Sequence, residues 1–214
     1  MNAPSLRSRS PRHGRALRRA EEIVDAAAHV FAERGYHGTS TQAIADTLGM
    51  RQASLYYYFP SKEAALERVC VRGVDGFVER AEAIVADDGT PCDKLLRLIA
   101  AHLAPNTAKR DYVKVFINER RYLPEPSRRR VGRMSRRIEK CFEQVVRAGI
   151  ADGSLRADID ARLVVLAVLG MCNAVINWAP GDQARDVRAI AAELGKLTVQ
   201  GLMAGESRGA GNRT

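Results

Sequence analysis

Apolar residues recur at helical spacing along almost the whole chain, and this pattern limits the possible folds more than any other feature. Between about residues 15 and 34 they stand three or four positions apart, with acidic and polar side chains on the opposite side. The alternating patterns typical of strands are almost absent, and no internal repeat is apparent. The sequence therefore predicts an all-α protein of about nine helices.

Glycines and hydroxyl residues divide the first third of the chain into short helices. Gly35 stands where the first helix would take a left-handed C-terminal cap. The segment TST then starts the short helix TQAIADTL, Gly49 makes a turn, and a second short helix, RQASLYYY, follows. Ser61 is expected to cap a longer helix. Two short helices joined by a turn containing glycine predict a helix-turn-helix unit, which binds DNA.

The N-terminal residues of the second short helix have the chemistry needed to read base edges. In a helix-turn-helix, this end of the second helix enters the major groove. Arg51 can pair bidentately with guanine, and Gln52 can do so with adenine. Ala53 offers a methyl group to thymine, and Ser54 can bond to a base edge or a phosphate. We therefore expect these four residues to contact double-stranded DNA.

The stretch ASLYYYFPSK contains four consecutive aromatic residues, in a chain with one Trp, six Tyr and five Phe. A core helix would space them three or four apart, because only such positions share a face. We expect Leu55 and Phe59 to point inward, Tyr56 and Tyr57 to reach phosphates, and Tyr58 to be partly buried. The alternative is that the tyrosines only pack the small domain.

Two further residues are candidates for phosphate contacts. Thr41 and Lys62 each lie at the start of a predicted helix, where the helix dipole attracts anions. The formal net charge of +9 favours an anionic partner such as DNA, although a charge of this size also serves solubility alone.

The termini differ in composition from the rest of the chain. The first twenty residues contain six arginines and no acidic residue, and they lack the apolar segment of a secretory signal. This composition fits an organellar transit peptide or a disordered basic arm, and the adjacent DNA-binding motif favours an arm over residues 1–14. Residues 15–62 are then the DNA-binding domain, 63–204 a helical second domain, and 205–214 a disordered tail.

The motif A-x-x-x-F-x-x-x-G-Y-x-G-T-S-x-x-x-I-A-x-x-L-G, followed by S-L-Y-Y-Y-F-x-S-K-E-x-L, strongly resembles the N-terminal domain of TetR-family transcriptional regulators. The resemblance implies a cytoplasmic homodimeric repressor that leaves a palindromic operator when a small molecule binds its C-terminal domain. Tyr58 stands where the family commonly has histidine. Met50, Arg51 and Gln52 replace the common V-S-K, which alters the expected base preference.

The last two predicted helices, about 160–178 and 183–204, suit a dimer. The second has one apolar stripe, whereas the first is apolar on almost every side, so that its own subunit alone is not expected to cover it. Two such helices from each chain would form a four-helix bundle between subunits. The alternative is that the monomer covers both faces. The run LVVLAVLGMCNAVINW is shorter than the ~20 residues of a membrane span and predicts a buried helix without a membrane partner.

An effector cavity is expected in the second domain. Such cavities are mostly apolar with a few polar groups. Taken alone, each candidate wall residue is more typical of the ordinary core than of a cavity wall; the candidates are Tyr112, Phe116, Phe142, Met171 and Trp178.

Three C-terminal segments, FINERRYLP, AGIxDGSLR and LGMCNAVINWxxPG, resemble a subgroup of the family that often controls fatty-acid or steroid catabolism and responds to acyl-CoA thioesters. An acyl-CoA effector would suit a cluster of arginines, because arginine pairs well with phosphate. The alternative is a solvated basic face near the DNA. The cluster comprises Arg120, Arg121, Arg128, Arg129, Arg130, Arg133, Arg136 and Arg137.

Catalysis is not expected. The four histidines lack a Cys, Asp or Ser partner at a recognisable spacing, and no nucleotide-binding, zinc-protease or nucleophile-elbow motif occurs. The four cysteines form no CxxC pair, so neither a metal nor another cofactor is expected. The leading hypothesis is a ligand-responsive repressor, ahead of a DNA-binding activator or architectural regulator without a ligand, and of an enzyme that carries a DNA-binding module.

Overall fold

The computed structural model describes residues 11–105, 109–179 and 184–204 of the chain. Its elements are α1 (Pro11–Gly38), α2 (Thr41–Thr47), α3 (Gln52–Leu55), α4 (Lys62–Val74), α5 (Phe77–Ala86), α6 (Pro91–Leu103), α7 (Arg110–Glu119), a 3-10 helix (Arg120–Tyr122), α8 (Glu125–Ala151), α9 (Ala161–Trp178) and α10 (Ala184–Leu202). Within these ranges, the only extended pairing is an isolated bridge between Leu155 and Met203. The prediction of an all-α fold is confirmed.

The predicted terminal segments fall largely outside the described residues. The tail at 205–214 lies outside them completely, and so do the first ten residues of the predicted basic arm. The last four residues of the arm lie in α1, which starts at Pro11.

Glycine determines where two of the helices break. Gly35 has φ 66° and interrupts α1 at the predicted place, because a left-handed backbone stops the regular hydrogen bonding. Gly76, with φ 75°, separates α4 from α5. The longer helix predicted from Ser61 therefore ends at Val74, and this second break was not predicted.

Two hydrophobic clusters form the core. The N-terminal cluster contains residues of α1, α2, α3 and α4 and includes the fully buried side chains of Phe31, Ile44 and Leu66. It extends into the second half of the chain, because residues of α7 and α8 such as Val115 and Val131 belong to it. The C-terminal cluster unites α5, α6, α8, α9 and α10. Helix α7 thus packs directly against the N-terminal domain.

The contact between α4 and α7 depends on a glycine. A Cβ atom added to Gly73 would lie 2.8 Å from the backbone oxygen of Tyr112. Such a distance is shorter than van der Waals contact allows, so only glycine fits this crossing.

Helix α9 has one buried face and one exposed face. Its mean hydropathy is 1.6 over Ala161–Trp178, yet only 39% of this segment is buried in the protomer. Leu163 is 65% exposed, Trp178 is 59% exposed, and Leu197 on α10 is 63% exposed. The protomer alone thus covers only part of α9, as the sequence predicts, and leaves apolar side chains on α9 and α10 exposed.

Candidate nucleic-acid interface and effector cavity

Helix caps and a buried threonine fix the DNA-reading unit (residues 39–59). The Oγ of Ser40 accepts the backbone N–H of Ala43 at 3.1 Å, and Ser61 caps α4 in the same way. Thr39 is buried, and its hydroxyl donates to the carbonyl oxygen of Gly35 at 2.7 Å. Gly49, with φ 60°, makes the turn between α2 and α3. The start of the unit is thus tied to the end of α1.

The aromatic run divides between the core and the surface, as the sequence predicts. Leu55 is 1% exposed and Phe59 is 4% exposed, so both anchor α3. Tyr56 is 47% exposed and Tyr57 is 86% exposed, while Tyr58 is partly buried beside the ring of Tyr57. A tyrosine as exposed as Tyr57 contributes little to packing, and its hydroxyl is free to reach a phosphate.

The predicted base-reading residues lie at the start of α3, and three of the four are exposed. Arg51, Ala53 and Ser54 are exposed. Gln52 is half-buried, and its Nε2 donates to the Oγ1 of Thr41 at 2.7 Å. One N–H and the carbonyl oxygen of this amide remain, which is the pair that reads adenine. The sequence did not indicate this bond, which fixes the side chain before any DNA binds.

Lys62 contacts the end of α1. Its Nζ donates to the carbonyl oxygens of Tyr36 and Thr39, both at 2.9 Å, and lies 4.1 Å from the centre of the Tyr36 ring. An ammonium group has three N–H donors, so one remains for a phosphate. The sequence predicted a phosphate contact, and the structure adds a tether between α1 and α4.

A hydrogen bond also joins Tyr36 to the start of α4. The Tyr36 hydroxyl donates to the Glu63 carboxylate, and this bond raises the pKa of Tyr36 to about 12. The same bond lowers the pKa of Glu63. The phenol and the carboxylate therefore stabilise each other's protonation state at neutral pH.

Several of the residues predicted to contact phosphate line a surface hollow of about 390 Å³. Thr41, Tyr56 and Lys62 line it together with the two capping serines, Ser40 and Ser61. The hydroxyl of Tyr56 lies 3.4 Å from the Oγ1 of Thr41. Hydroxyl groups and a cation at the starts of α2 and α4 suit a phosphate group.

A small cavity of about 30 Å³ lies between α4, α5, α6, α7, α8 and α9 and is the candidate effector site. It has room for about one water molecule. Its walls are mainly apolar, with Phe116 among them; the lining residues are Gly73, Val74, Phe77, His102, Val113, Phe116, Ile117, Ile138, Cys172 and Asn173.

Four of the five predicted wall residues lie elsewhere. Tyr112 belongs to the N-terminal core, where its hydroxyl donates to Asp25. Phe142 is buried in the C-terminal core beside His102, and Met171 and Trp178 are exposed on α9. Aromatic character alone does not say which face of a helix a residue occupies, so only the prediction for Phe116 matches the cavity.

The cavity also contains a pair of polar residues that the sequence did not indicate. His102 and Asn173, 71 positions apart, form a hydrogen bond of 3.0 Å between Nε2 and Oδ1. The Nδ1 atom of His102 is buried and has no hydrogen-bond partner in the part of the chain that the structure describes, and burial lowers the pKa of this histidine. No spacing in the sequence connects these residues, because the tertiary fold alone brings α6 and α9 together.

Most of the arginines proposed for phosphate binding are engaged within the protein. Glu125 pairs with Arg128 and Arg129, Glu67 with Arg130, and Glu82 with Arg137. Arg120 and Arg121 lie over the rings of Phe116 and Tyr122. Within the described residues, Arg133 and Arg136 are exposed and form no such pair. No group of three or more potential metal ligands occurs there either.

Two family models match the chain. Residues 23–69 match the model for bacterial regulatory proteins of the tetR family, and residues 88–202 match the model for a tetracyclin repressor-like C-terminal domain.

Individual relatives cover most of the chain. The fatty acid metabolism regulator protein of Bacillus subtilis is 26% identical over 182 residues, which are 85% of this chain and 94% of that protein. The HTH-type transcriptional repressor KstR2 of Mycolicibacterium smegmatis is 29% identical over 161 residues, 75% of this chain and 78% of that one. The structure of the transcriptional regulator FadR from B. subtilis in complex with stearoyl-CoA matches with a TM-score of 0.69 and 26% identity, over 85% of this chain and 98% of that chain.

Proposed function

The chain belongs to the TetR family of bacterial regulatory proteins, and we propose that it is a cytoplasmic homodimeric repressor that an acyl-CoA or another largely apolar ligand releases from a palindromic operator. The observation that carries the proposal is the surface formed by α3 and the hollow beside it. Arg51, Ala53 and Ser54 are exposed for base contacts, and Tyr57 projects into solvent next to them.

The uncovered apolar surface of α9 and α10 supports the homodimer. Leu163, Leu166 and Trp178 on α9 and Leu197 on α10 are all at least 48% exposed. A second copy can cover such a surface by placing its own α9 and α10 against it. Two reading units related by a twofold axis then match two half-sites.

Similarity to regulators whose names refer to fatty acids or acyl-CoA supports the ligand class. The relatives include a fatty acid metabolism regulator, and one matched structure holds stearoyl-CoA. The cavity around Phe116 is apolar apart from His102 and Asn173, as suits an acyl chain with one polar group. At about 30 Å³ it has to widen before such a chain enters.

The small size of the cavity also favours a second candidate function. A regulator that binds DNA without a small-molecule ligand, as an activator or an architectural protein, has no need of a larger cavity. This alternative retains the DNA-binding surface and the dimer, and differs only in the response to ligands.

Fluorescence anisotropy with a labelled duplex from the region upstream of the protein's own gene tests the proposal. We expect saturable binding, and release when stearoyl-CoA or a shorter acyl-CoA is added, with free CoA and free fatty acid as controls. Binding that none of these compounds changes would support the regulator without a ligand. A protein that binds no duplex in this assay would contradict both.

A further inference from the structure

Helix α7 and the 3-10 helix after it contact the end of α1 directly, at the residue where α1 breaks. The backbone N–H of Tyr36 donates to the Oε2 of Glu119 at 2.8 Å. A Cβ atom built on Gly35 would lie 3.7 Å from both carboxylate oxygens of Glu119. A carboxylate from the second domain is therefore packed against the break and accepts a charge-assisted hydrogen bond from it.

A second contact joins the same places. The ring of Tyr122 stacks on that of Tyr36, with centroids 5.1 Å apart and planes inclined by 13°. His37 meets the Tyr122 ring edge-on at 4.6 Å. Aromatic pairs of this kind stabilise beyond the area that they bury. Tyr36 and His37, the two residues after the break, thus both contact an aromatic residue of the second domain.

Tyr36 is at the same time the anchor of the DNA-reading unit. Its carbonyl oxygen accepts a hydrogen bond from Lys62, and its hydroxyl donates to Glu63. Lys62 also binds the carbonyl oxygen of Thr39, the first residue of the unit. A shift of Tyr36 therefore moves the start of α2 and the start of α4 together.

The other end of this chain of contacts lies at the cavity. Phe116, one turn before Glu119 on α7, lines the cavity, and Arg120 lies over its ring at 4.7 Å. Gly73 of α4 lines the same cavity and touches the backbone of α7. A group that displaces Phe116 would therefore move the turn that carries Glu119.

We infer that Glu119 and Tyr122 are positioning residues that hold the DNA-reading unit in its DNA-binding orientation from the second domain, in addition to the connection through α4. They touch no DNA themselves and act through Tyr36. The inference rests on the proposed DNA-binding function and specifies how the second domain controls it.

The substitution Glu119→Ala tests the inference, with Glu143→Ala as its matched control. Glu143 lies on α8, and its one ion-pair partner among the described residues is Arg147 of the same helix. Both changes remove one negative charge, which alone strengthens binding to a polyanion. We expect Glu119→Ala to bind the operator duplex about tenfold more weakly than the wild type, the size of effect expected for one lost charge-assisted hydrogen bond. Glu143→Ala should bind at least as tightly as the wild type.

Amide exchange separates positioning from a general loss of stability. In Glu119→Ala, exchange over residues 36–41 should be about tenfold faster, while the core of α8 keeps its protection. Glu119→Gln retains an acceptor oxygen and should recover most of the affinity and protection. Tyr122→Leu removes the stacked ring but keeps an apolar side chain. It should lose duplex affinity and amide protection to a smaller extent than Glu119→Ala.

Equal duplex affinity of Glu119→Ala and Glu143→Ala would overturn the inference, with or without a change in exchange. A wild-type protein that binds no duplex would contradict the proposed function instead. The exchange measurement would then decide on its own whether Glu119 holds the end of α1, and unchanged exchange would overturn the inference in that case as well.

Discussion

At the scale of single residues, Tyr36 combines several distinct contacts. Its backbone binds Glu119 and Lys62, its ring stacks on Tyr122, and its hydroxyl binds Glu63. The hydrogen bond to Glu63 raises the pKa of Tyr36 to about 12 from an ordinary value of 10.0. A phenol whose pKa is higher in the folded state stabilises the fold fully below pH 10 and loses this contribution as the pH rises toward 12.

The substitution Tyr36→Phe should therefore change how stability depends on alkaline pH. At pH 9 the variant should be less stable by about 1 kcal/mol, because the hydroxyl no longer binds Glu63. Between pH 10 and 12 its denaturation midpoint should fall less than that of the wild type. Urea unfolding at a series of pH values measures both effects. Parallel curves for the two proteins over this range would show that the Tyr36 phenol does not contribute as described.

The exposure of the proposed DNA-contacting residues was predictable because it depends on local structure. Arg51, Ala53 and Ser54 follow a turn whose glycine is visible in the sequence, and they are exposed as expected. The bond between Gln52 and Thr41 was not predictable, because it depends on how α2 and α3 cross. The same limit applied to the candidate effector cavity, which Phe116 lines and the other four predicted wall residues do not.

At the scale of the elements, caps and breaks decide the helix boundaries. Ser40 and Ser61 cap α2 and α4 as the sequence predicts, since a hydroxyl before an apolar run has few other roles. The break at Gly76 was missed, because a glycine within a continuous apolar pattern is compatible with either a helix or a turn. The capped starts of these helices were thus predictable, whereas a break inside a continuous apolar pattern was not.

The crossing of α4 and α7 gives a direct test at this scale. Gly73→Ala should destabilise the protein by about 1–3 kcal/mol, because its Cβ would lie 2.8 Å from the Tyr112 carbonyl oxygen and the two helices would have to separate. Thermal unfolding followed by circular dichroism measures the change.

Gly132→Ala is the matched control for this substitution. Gly132 lies inside α8, and an added Cβ would meet only the end of the flexible Arg136 side chain, at 3.5 Å. This variant should be up to about 1 kcal/mol more stable than the wild type, because alanine has a higher helix propensity than glycine. If both variants shifted stability in the same direction and by the same amount, the close contact between α4 and α7 would be refuted.

At the scale of the whole molecule, the exposed apolar side chains of α9 and α10 favour a dimer, and the basic charge of the chain favours binding to DNA. Exposed apolar side chains such as Leu163 and Leu197 lower the solubility of a protein, and a second copy covers them in the proposed dimer. The formal net charge of +9 attracts a polyanion to both subunits at once.

Leu197→Glu should dissociate the proposed dimer. A carboxylate at this position would be desolvated in the interface without a partner, which costs several kcal/mol. Light scattering after gel filtration should give twice the monomer mass for the wild type and the monomer mass for the variant.

Leu17→Glu is the control for this experiment. Leu17 lies on α1 and is 48% exposed, so the same chemical change occurs away from the proposed interface. It should remain a dimer. A monomeric wild type, or a Leu197→Glu variant that stays dimeric, would place the contact between subunits elsewhere or exclude it.

The central claim is that the surface beginning at Arg51 reads duplex DNA, and selection from a library of random duplexes at modest salt tests it most directly. The wild type should enrich a palindrome whose half-sites lie about 34–36 Å apart or a multiple of that distance. Arg51→Ala should lose about 1–3 kcal/mol of discrimination at one or two positions. Tyr57→Ala should bind all sequences more weakly with the same preference. A wild type that enriches no sequence, or the same enriched site in the wild type and in Arg51→Ala, would contradict the account.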